Sequence, residues 1–294
     1  MPAQVLLGTF ANTQGGEPLN KSEISKQIET IASGFTGHVS LYAEHMTSHD
    51  TLEHDPSAVM ETASVVKVPI MAAAFQYLHD HHVSWEHPLH LEREDIVEGS
   101  GVLQHLSPGL SLPVLDVITL MIIVSDNTAT NMILRWLGLG PVNDFIALCN
   151  LTETKLMKRI DFSVPGPIGL TTAQEMALLL TRIYHRTLVS PPASQVMWDI
   201  LTQQQYNTIM TRNLPYDLIC ETDAPPLVRV ASKSGSLEGV RNDVGIITTP
   251  WGDYVLAVFS EKSKDLRFHV DTEAFIVLPQ LTRLVFDYFT FPRE

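Results

Sequence analysis

The sequence predicts an α/β protein of the α+β kind. Its centre is an antiparallel five-stranded sheet assembled from both ends of the chain, flanked by terminal helices, with an all-α domain inserted between the ends. Three observations carry this expectation. Strand-like alternation occurs near the N-terminus and again after Leu227; most of the chain between is helical in period; and both ends carry an amphipathic helix. The predicted division is a discontinuous α/β domain, residues 1–60 with 212–294, and a helical domain, residues 61–211. A chain of 294 residues is long enough for either one large domain or two intimate ones.

Taken in order, residues 1–18 read as irregular. Leu19-Asn20-Lys21-Ser22-Glu23 opens a helix with Ile24, Ile28 and Ile31 on one side, ending near Gly34. His38 to Ala43 alternates like a strand, and a second strand is expected around residues 57–60. The helix after Ser64 carries Val68, Met71, Ala72, Phe75 and Leu78 as its apolar face, with an irregularity expected at Pro69, which has no N–H to donate. Val114 to Val124 is a strongly apolar helix, broken at Ser125-Asp126-Asn127. Helical period resumes from Thr128 to Leu137 and is expected to end at Gly138 and Gly140. Residues 150–170 read as loop. Thr172-Ala173-Gln174-Glu175 has the pattern of a capping box, and another helix spans roughly residues 191–204. Strands follow at 227–231, 244–247 and 254–259, and residues 272–290 form a closing amphipathic helix.

Composition excludes several classes of function. A formal charge of −14 argues against nucleic-acid binding and against anionic membranes. No apolar run is long enough to span a bilayer. The N-terminus lacks a basic segment followed by a long apolar one, so no secretory leader is visible and the compartment stays open between cytoplasmic, periplasmic and secreted. Cys149 and Cys220 are read as free thiols. The histidines at 79, 81, 82, 87 and 90 follow no ligand spacing, so neither a metal nor another cofactor is expected.

The chemistry is concentrated in short motifs. Ser64 and Lys67 stand three positions apart at the start of an apolar helix, which puts both side chains on one face. A serine hydroxyl becomes a strong nucleophile when a base takes its proton, and a neutral lysine amine can be that base. Ser125-Asp126-Asn127 is a polar tripeptide held between two apolar helices. Lys233-Ser234-Gly235 follows at the first of the late strands. A cap serine, a turn and a surface lysine would each be unremarkable alone, but the three occur together and in order.

In that order, the three motifs resemble those of the serine β-lactamase and penicillin-binding protein superfamily, nearest its class A branch. The resemblance runs from about residue 20 to the C-terminus and includes Gly99-Ser100-Gly101-Val102-Leu103, Met121 to Asn131, and Thr171-Thr172 with Glu175-Met176-Ala177. It implies the β-lactamase/transpeptidase-like fold, with the active site between the two domains. It also implies roles. Ser64 attacks a carbonyl carbon to form an acyl-enzyme, Lys67 accepts its proton, and Lys233 helps keep Lys67 neutral. Ser125 relays the proton to the leaving nitrogen. Asn127 orients Lys67 and contacts a substrate amide, while Lys233, Ser234 and Gly235 form the strand that binds a substrate carboxylate. The N–H groups of Ser64 and Ser236 make the oxyanion hole. Arg241 is either a second carboxylate-binding arginine or a surface strand cation.

One departure stands out. Class A enzymes place a glutamate, within a Glu-x-x-x-Asn pattern, before the Thr-Thr helix to activate the hydrolytic water. Here Ile160 falls near that place and Asp161 follows it. Asp161 is read either as a substitute base or as a loop cap or partner of Arg159. The expected function is a serine hydrolase that opens β-lactam rings slowly. The alternatives are a small-ester hydrolase or D-amino-acid peptidase using the same residues, and a penicillin-binding module that acylates without turnover. The expected partner is a small β-lactam or acyl substrate, and the expected state a monomer or weak homo-oligomer.

Overall fold

The computed structural model describes residues 20–220 and 225–290; the expected irregular segment 1–18 and Leu19 lie outside the described residues. Helix α1 (Lys21–Ser33) begins at Asn20, whose side chain accepts from Glu23 N while the Glu23 carboxylate accepts from Asn20 N. Strands β1 (His38–His45) and β2 (Thr51–His54) pair antiparallel, with Leu41 opposite His54. The second strand therefore lies earlier than the expected 57–60. Only Leu52 of β2 is buried, so this edge strand has no apolar alternation to reveal it. The short β3 (Met60–Glu61) follows, and a 3₁₀ turn (Ala63–Val66) leads into α2 (Lys67–Asp80). Pro69 is the third residue of α2, where a backbone N–H has no partner within the helix in any case.

A hairpin of β4 (Pro88–His90) and β5 (Ser111–Pro113) precedes α3 (Val114–Ile123) and α4 (Asn127–Leu137). The chain then enters α5 (Leu139–Leu148), which the glycine pair had concealed. Gly138 turns the chain with φ 86°, while Gly140 lies inside the new helix and Val142, Phe145 and Ile146 bury its inner face. The expected loop 150–170 contains β6 (Lys155–Leu156) and leads to β7 (Gly169–Thr171); with β3 these form a small sheet in the order β3-β7-β6. Helices α6 (Ala173–Tyr184) and α7 (Pro191–Thr202) follow, then the single turn α8 (Tyr216–Ile219). Strands β8 (Arg229–Leu237), β9 (Val240–Thr248) and β10 (Tyr254–Glu261) and the closing helix α9 (Glu273–Thr290) complete the chain.

The main sheet has five strands in the order β2-β1-β10-β9-β8, all antiparallel, so the first and last segments of the chain meet at its centre. Both faces are covered. Tyr254, Leu256 and Val258 pack with Ile24 and Ile28 of α1 and Leu278, Leu281 and Val285 of α9. Val255, Ala257 and Phe259 join the larger core formed by the helical segments. That two-sided burial explains why β10 reads as an unbroken apolar run. Pro279 interrupts the hydrogen-bond ladder of α9, leaving the carbonyl four residues earlier without its helical donor; Arg212 donates to that carbonyl, Phe275 O, at 2.8 Å. Among the described residues no helix is long and apolar enough to cross a membrane. Cys149 and Cys220 are free thiols.

Candidate active site

Three elements converge on Ser64. The residue before it, Ala63, has φ 44°, a costly conformation for a residue with a Cβ. The strain is held from both sides. Thr62 N donates to Gly169 O at 3.0 Å, and Asn242 Nδ2 on β9 donates to Glu61 O at 2.8 Å and Thr62 O at 3.0 Å. Strand β8 passes directly against the turn. A Cβ on Gly235 would lie 2.9 Å from Thr62 O and 3.0 Å from Ser64 N, so only glycine permits the approach.

Lys67 is fully buried one turn beyond Ser64. Its Nζ donates to Ser125 O at 2.6 Å, to Asn127 Oδ1 at 2.8 Å and to Ser125 Oγ at 3.0 Å. Burial holds its pKa well below the ordinary lysine range, and the Lys233 charge pushes it in the same direction; Asp126 opposes both. An ammonium has three N–H bonds, and these three acceptors use all of them. A neutral amine has two, which leaves a lone pair able to accept a proton.

The Ser125-Asp126-Asn127 corner is rigid. Ser125 has φ 52°. Asp126 caps α4 by accepting from Ala129 N at 2.8 Å, and its other oxygen accepts from Val102 N at 2.6 Å and Leu103 N at 2.9 Å. This ties residues 99–103 to the corner so closely that a Cβ on Gly101 would collide with the Asp126 carboxylate at 2.2 Å. Asn127 completes the tie by donating from Nδ2 to Glu98 O at 3.1 Å.

On β8, Lys233 is fully buried and Ser234 nearly so, while Ser236 is exposed. Burial lowers the Lys233 pKa to about 7, against the pull of Asp243. Asp243, also buried, is pushed up to about 7 by the same loss of solvent, opposed by the Met210 N–H and by Lys233. Lys233 Nζ donates to Ser234 O at 2.6 Å.

Two expected site residues have other partners. Arg241 is buried, donates to Leu237 O, to Val240 O at 2.7 Å and to Arg267 O at 2.8 Å, and lies over the rings of Phe268 and Phe275. It is therefore not a surface cation: its two terminal nitrogens tie the β8–β9 hairpin to the loop after β10. Asp161 Oδ1 accepts from Ser163 N at 2.9 Å and Ser163 Oγ at 2.6 Å, bonds that hold its carboxyl below the ordinary aspartate range. Arg159, its suggested partner, instead reaches Asp95.

Some residues that build the site are assigned no role by the sequence. Asn242 could not be singled out from a strand sequence, because its function is a contact with the segment before Ser64. Asn131 lies one turn beyond Asn127 on α4; it accepts from Ile160 N at 3.0 Å and donates to Ile160 O at 3.0 Å. Ile160 is thereby fixed and buried beside α4.

A strained serine turn, a buried lysine with a depressed pKa and a glycine strand pressed against the nucleophile define a serine hydrolase of the class A β-lactamase and PBP-A type. The chain belongs to the beta-lactamase enzyme family, whose profile matches residues 23–289. It is similar to a β-lactamase from Sphaerobacter thermophilus at 30% identity and TM-score 0.82, covering 94% of this chain and all of that one. It is also similar to PBP-A at 25% identity and TM-score 0.81, covering 94% and 98% of the two chains; a leucine-to-glutamate variant of PBP-A has been solved as an acyl-enzyme with penicillin G. The class A β-lactamase of Mycobacterium abscessus shares the fold at TM-score 0.78 and 20% identity, with 90% and 99% covered. No curated protein matches the chain.

Proposed function

We propose that the protein opens β-lactam rings through an acyl-enzyme at Ser64 and releases the product slowly, in a cleft between the unit formed by residues 1–60 and 212–294 and the helical unit 61–211. The observation that carries the reading is Lys67, buried and destabilised as a cation beside the nucleophile. In the first step the Ser64 proton passes to Lys67 Nζ as Oγ bonds to the carbonyl carbon. The resulting oxyanion lies between the N–H groups of Ser64 and Ser236. The ring C–N bond then breaks, and the nitrogen takes a proton from Lys67 relayed through Ser125 Oγ. Lys233 and Ser234 bind the substrate carboxylate.

Release needs a water that attacks the acyl carbon and a base that takes its proton. Ile160 offers neither charge nor a hydrogen bond. Asp161 is the nearest carboxylate in sequence, and its lowered pKa makes it a weak base. Both features favour slow deacylation.

Mixing with penicillin G, followed by intact-mass and hydrolysis measurements, tests the reading. A covalent adduct is expected in the wild type and none in Ser64→Ala. Asp161→Ala is expected to lengthen adduct lifetime about fivefold or more with acylation little changed; equal effects on both steps remove Asp161 from the mechanism. A wild type that neither acylates nor hydrolyses any β-lactam, yet cleaves a nitrophenyl ester through Ser64, replaces this proposal with the ester-hydrolase alternative.

A further inference from the structure

Asn127, Asn131 and Arg135 succeed one another at intervals of four on α4, so they lie along one stripe of the helix. Asn127 holds Lys67. Asn131 holds both backbone polar groups of Ile160 and also donates to Asp95 O at 3.3 Å. Arg135 grips the Asp95 carboxylate from Nε at 3.0 Å and from its terminal nitrogen at 3.0 Å. Asp95 is fully buried, and Arg159, the residue before Ile160, reaches the same carboxylate at 3.3 Å and Glu94 O at 3.4 Å. The stripe that orients the base of the first step therefore also anchors the loop beside it, through side chains on both sides of Ile160's peptide. The loop returns to the site at Phe162, whose ring lies 3.6 Å from where a Gly99 Cβ would be, and that same point is 2.6 Å from Asn127 Nδ2.

We propose that Arg159 and Asp95 are positioning residues for acyl-enzyme release. Arg159, bound to an aspartate that α4 already holds, sets the approach of residues 160–162 to the acyl group, while Lys67 and Ser64 keep their geometry without it. The proposal rests on the acyl-enzyme reading above. Two features separate it from a general stabilising role. Asp95 keeps Arg135 when Arg159 is removed, so the buried carboxylate is not left unpaired. The Lys67 contacts to Ser125 and Asn127 do not pass through Arg159.

The experiment follows acylation and release separately, by intact mass after mixing with penicillin G, in wild type, Arg159→Ala and Arg159→Lys, with a thermal melt of each. In Arg159→Ala, release is expected to slow about tenfold or more while acylation stays within about twofold, and Arg159→Lys is expected to recover at least half of the loss on a logarithmic scale. Release unchanged in Arg159→Ala overturns the proposal. So does a parallel loss of both steps with a lowered melting temperature, or a lysine variant no better than alanine. A wild type that forms no adduct overturns the acyl-enzyme reading itself, and this inference with it; an adduct with unaltered release in Arg159→Ala overturns this inference alone.

Discussion

At Lys67 two demands conflict. The side chain must hold a proton to donate to three oxygens, and must lack one to act as a base. Burial and the neighbouring Lys233 charge bias it toward the neutral form, so acylation of saturated enzyme should rise with pH through the lowered Lys67 pKa. Below that point the rate should fall about tenfold per pH unit, as the neutral fraction does. In the proposed reaction Lys233 has the opposite requirement, because its charged form would attract the substrate carboxylate. With its pKa near 7, the second-order acylation rate should decline above about pH 7, while the rate at saturation should not. Arg at that position stays charged, so Lys233→Arg should flatten the alkaline limb. Stopped-flow acylation across pH 5–10 checks all of this, and an alkaline limb that survives Lys233→Arg removes Lys233 as its cause.

At the scale of elements, the site depends on close approach. At Gly235 strand β8 contributes through the side chain it lacks, since backbone atoms of the Ser64 turn occupy that space. Gly235→Ala must push either the strand or the turn by several tenths of an ångström. The neighbours are backbone, already strained at Ala63, and cannot move as a flexible side chain would. The expected cost is about 1–3 kcal/mol of stability, together with a loss of acylation larger than the stability loss explains at 25 °C. Denaturant unfolding and adduct formation on one preparation compare the two; full acylation in a stable Gly235→Ala protein refutes the packing argument.

Across the whole molecule, the sheet separates two cores with different duties. The helical core surrounds the helix that carries Lys67, whereas α1 and α9 pack on the opposite face. Leu281 on α9 is fully buried in that far core. Leu281→Ala should cost about 3 kcal/mol of stability and leave acylation at 25 °C within about twofold, because no contact of the Ser64 turn passes through it. Comparable losses of acylation and stability would show that the two faces are coupled through the sheet.

Much of this was legible in the sequence because its causes are local. Helix caps, apolar periods and strand alternation placed α1, α3, α4, α6, α9 and β10 but caught only parts of β8 and β9, whose halves next to Ser64 are polar, and three short motifs pointed to Ser64, Lys67, Ser125 and Lys233 as candidates. Local signals failed where an element lacked an apolar face of its own, as in β2, or where glycine has two uses, as at the start of α5. Only the tertiary structure decided the partners. It set Arg241 among carbonyls and aromatic rings, turned Asp161 onto Ser163, and brought Asn242 to the peptide before Ser64 and Asn131 to Ile160. The sequence by itself determined which groups could do chemistry, since nucleophile, base and charge are properties of residue types. Which of them meet, and how strongly burial shifts their protons, depends on residues far apart in the chain, and only the packed fold brings those together.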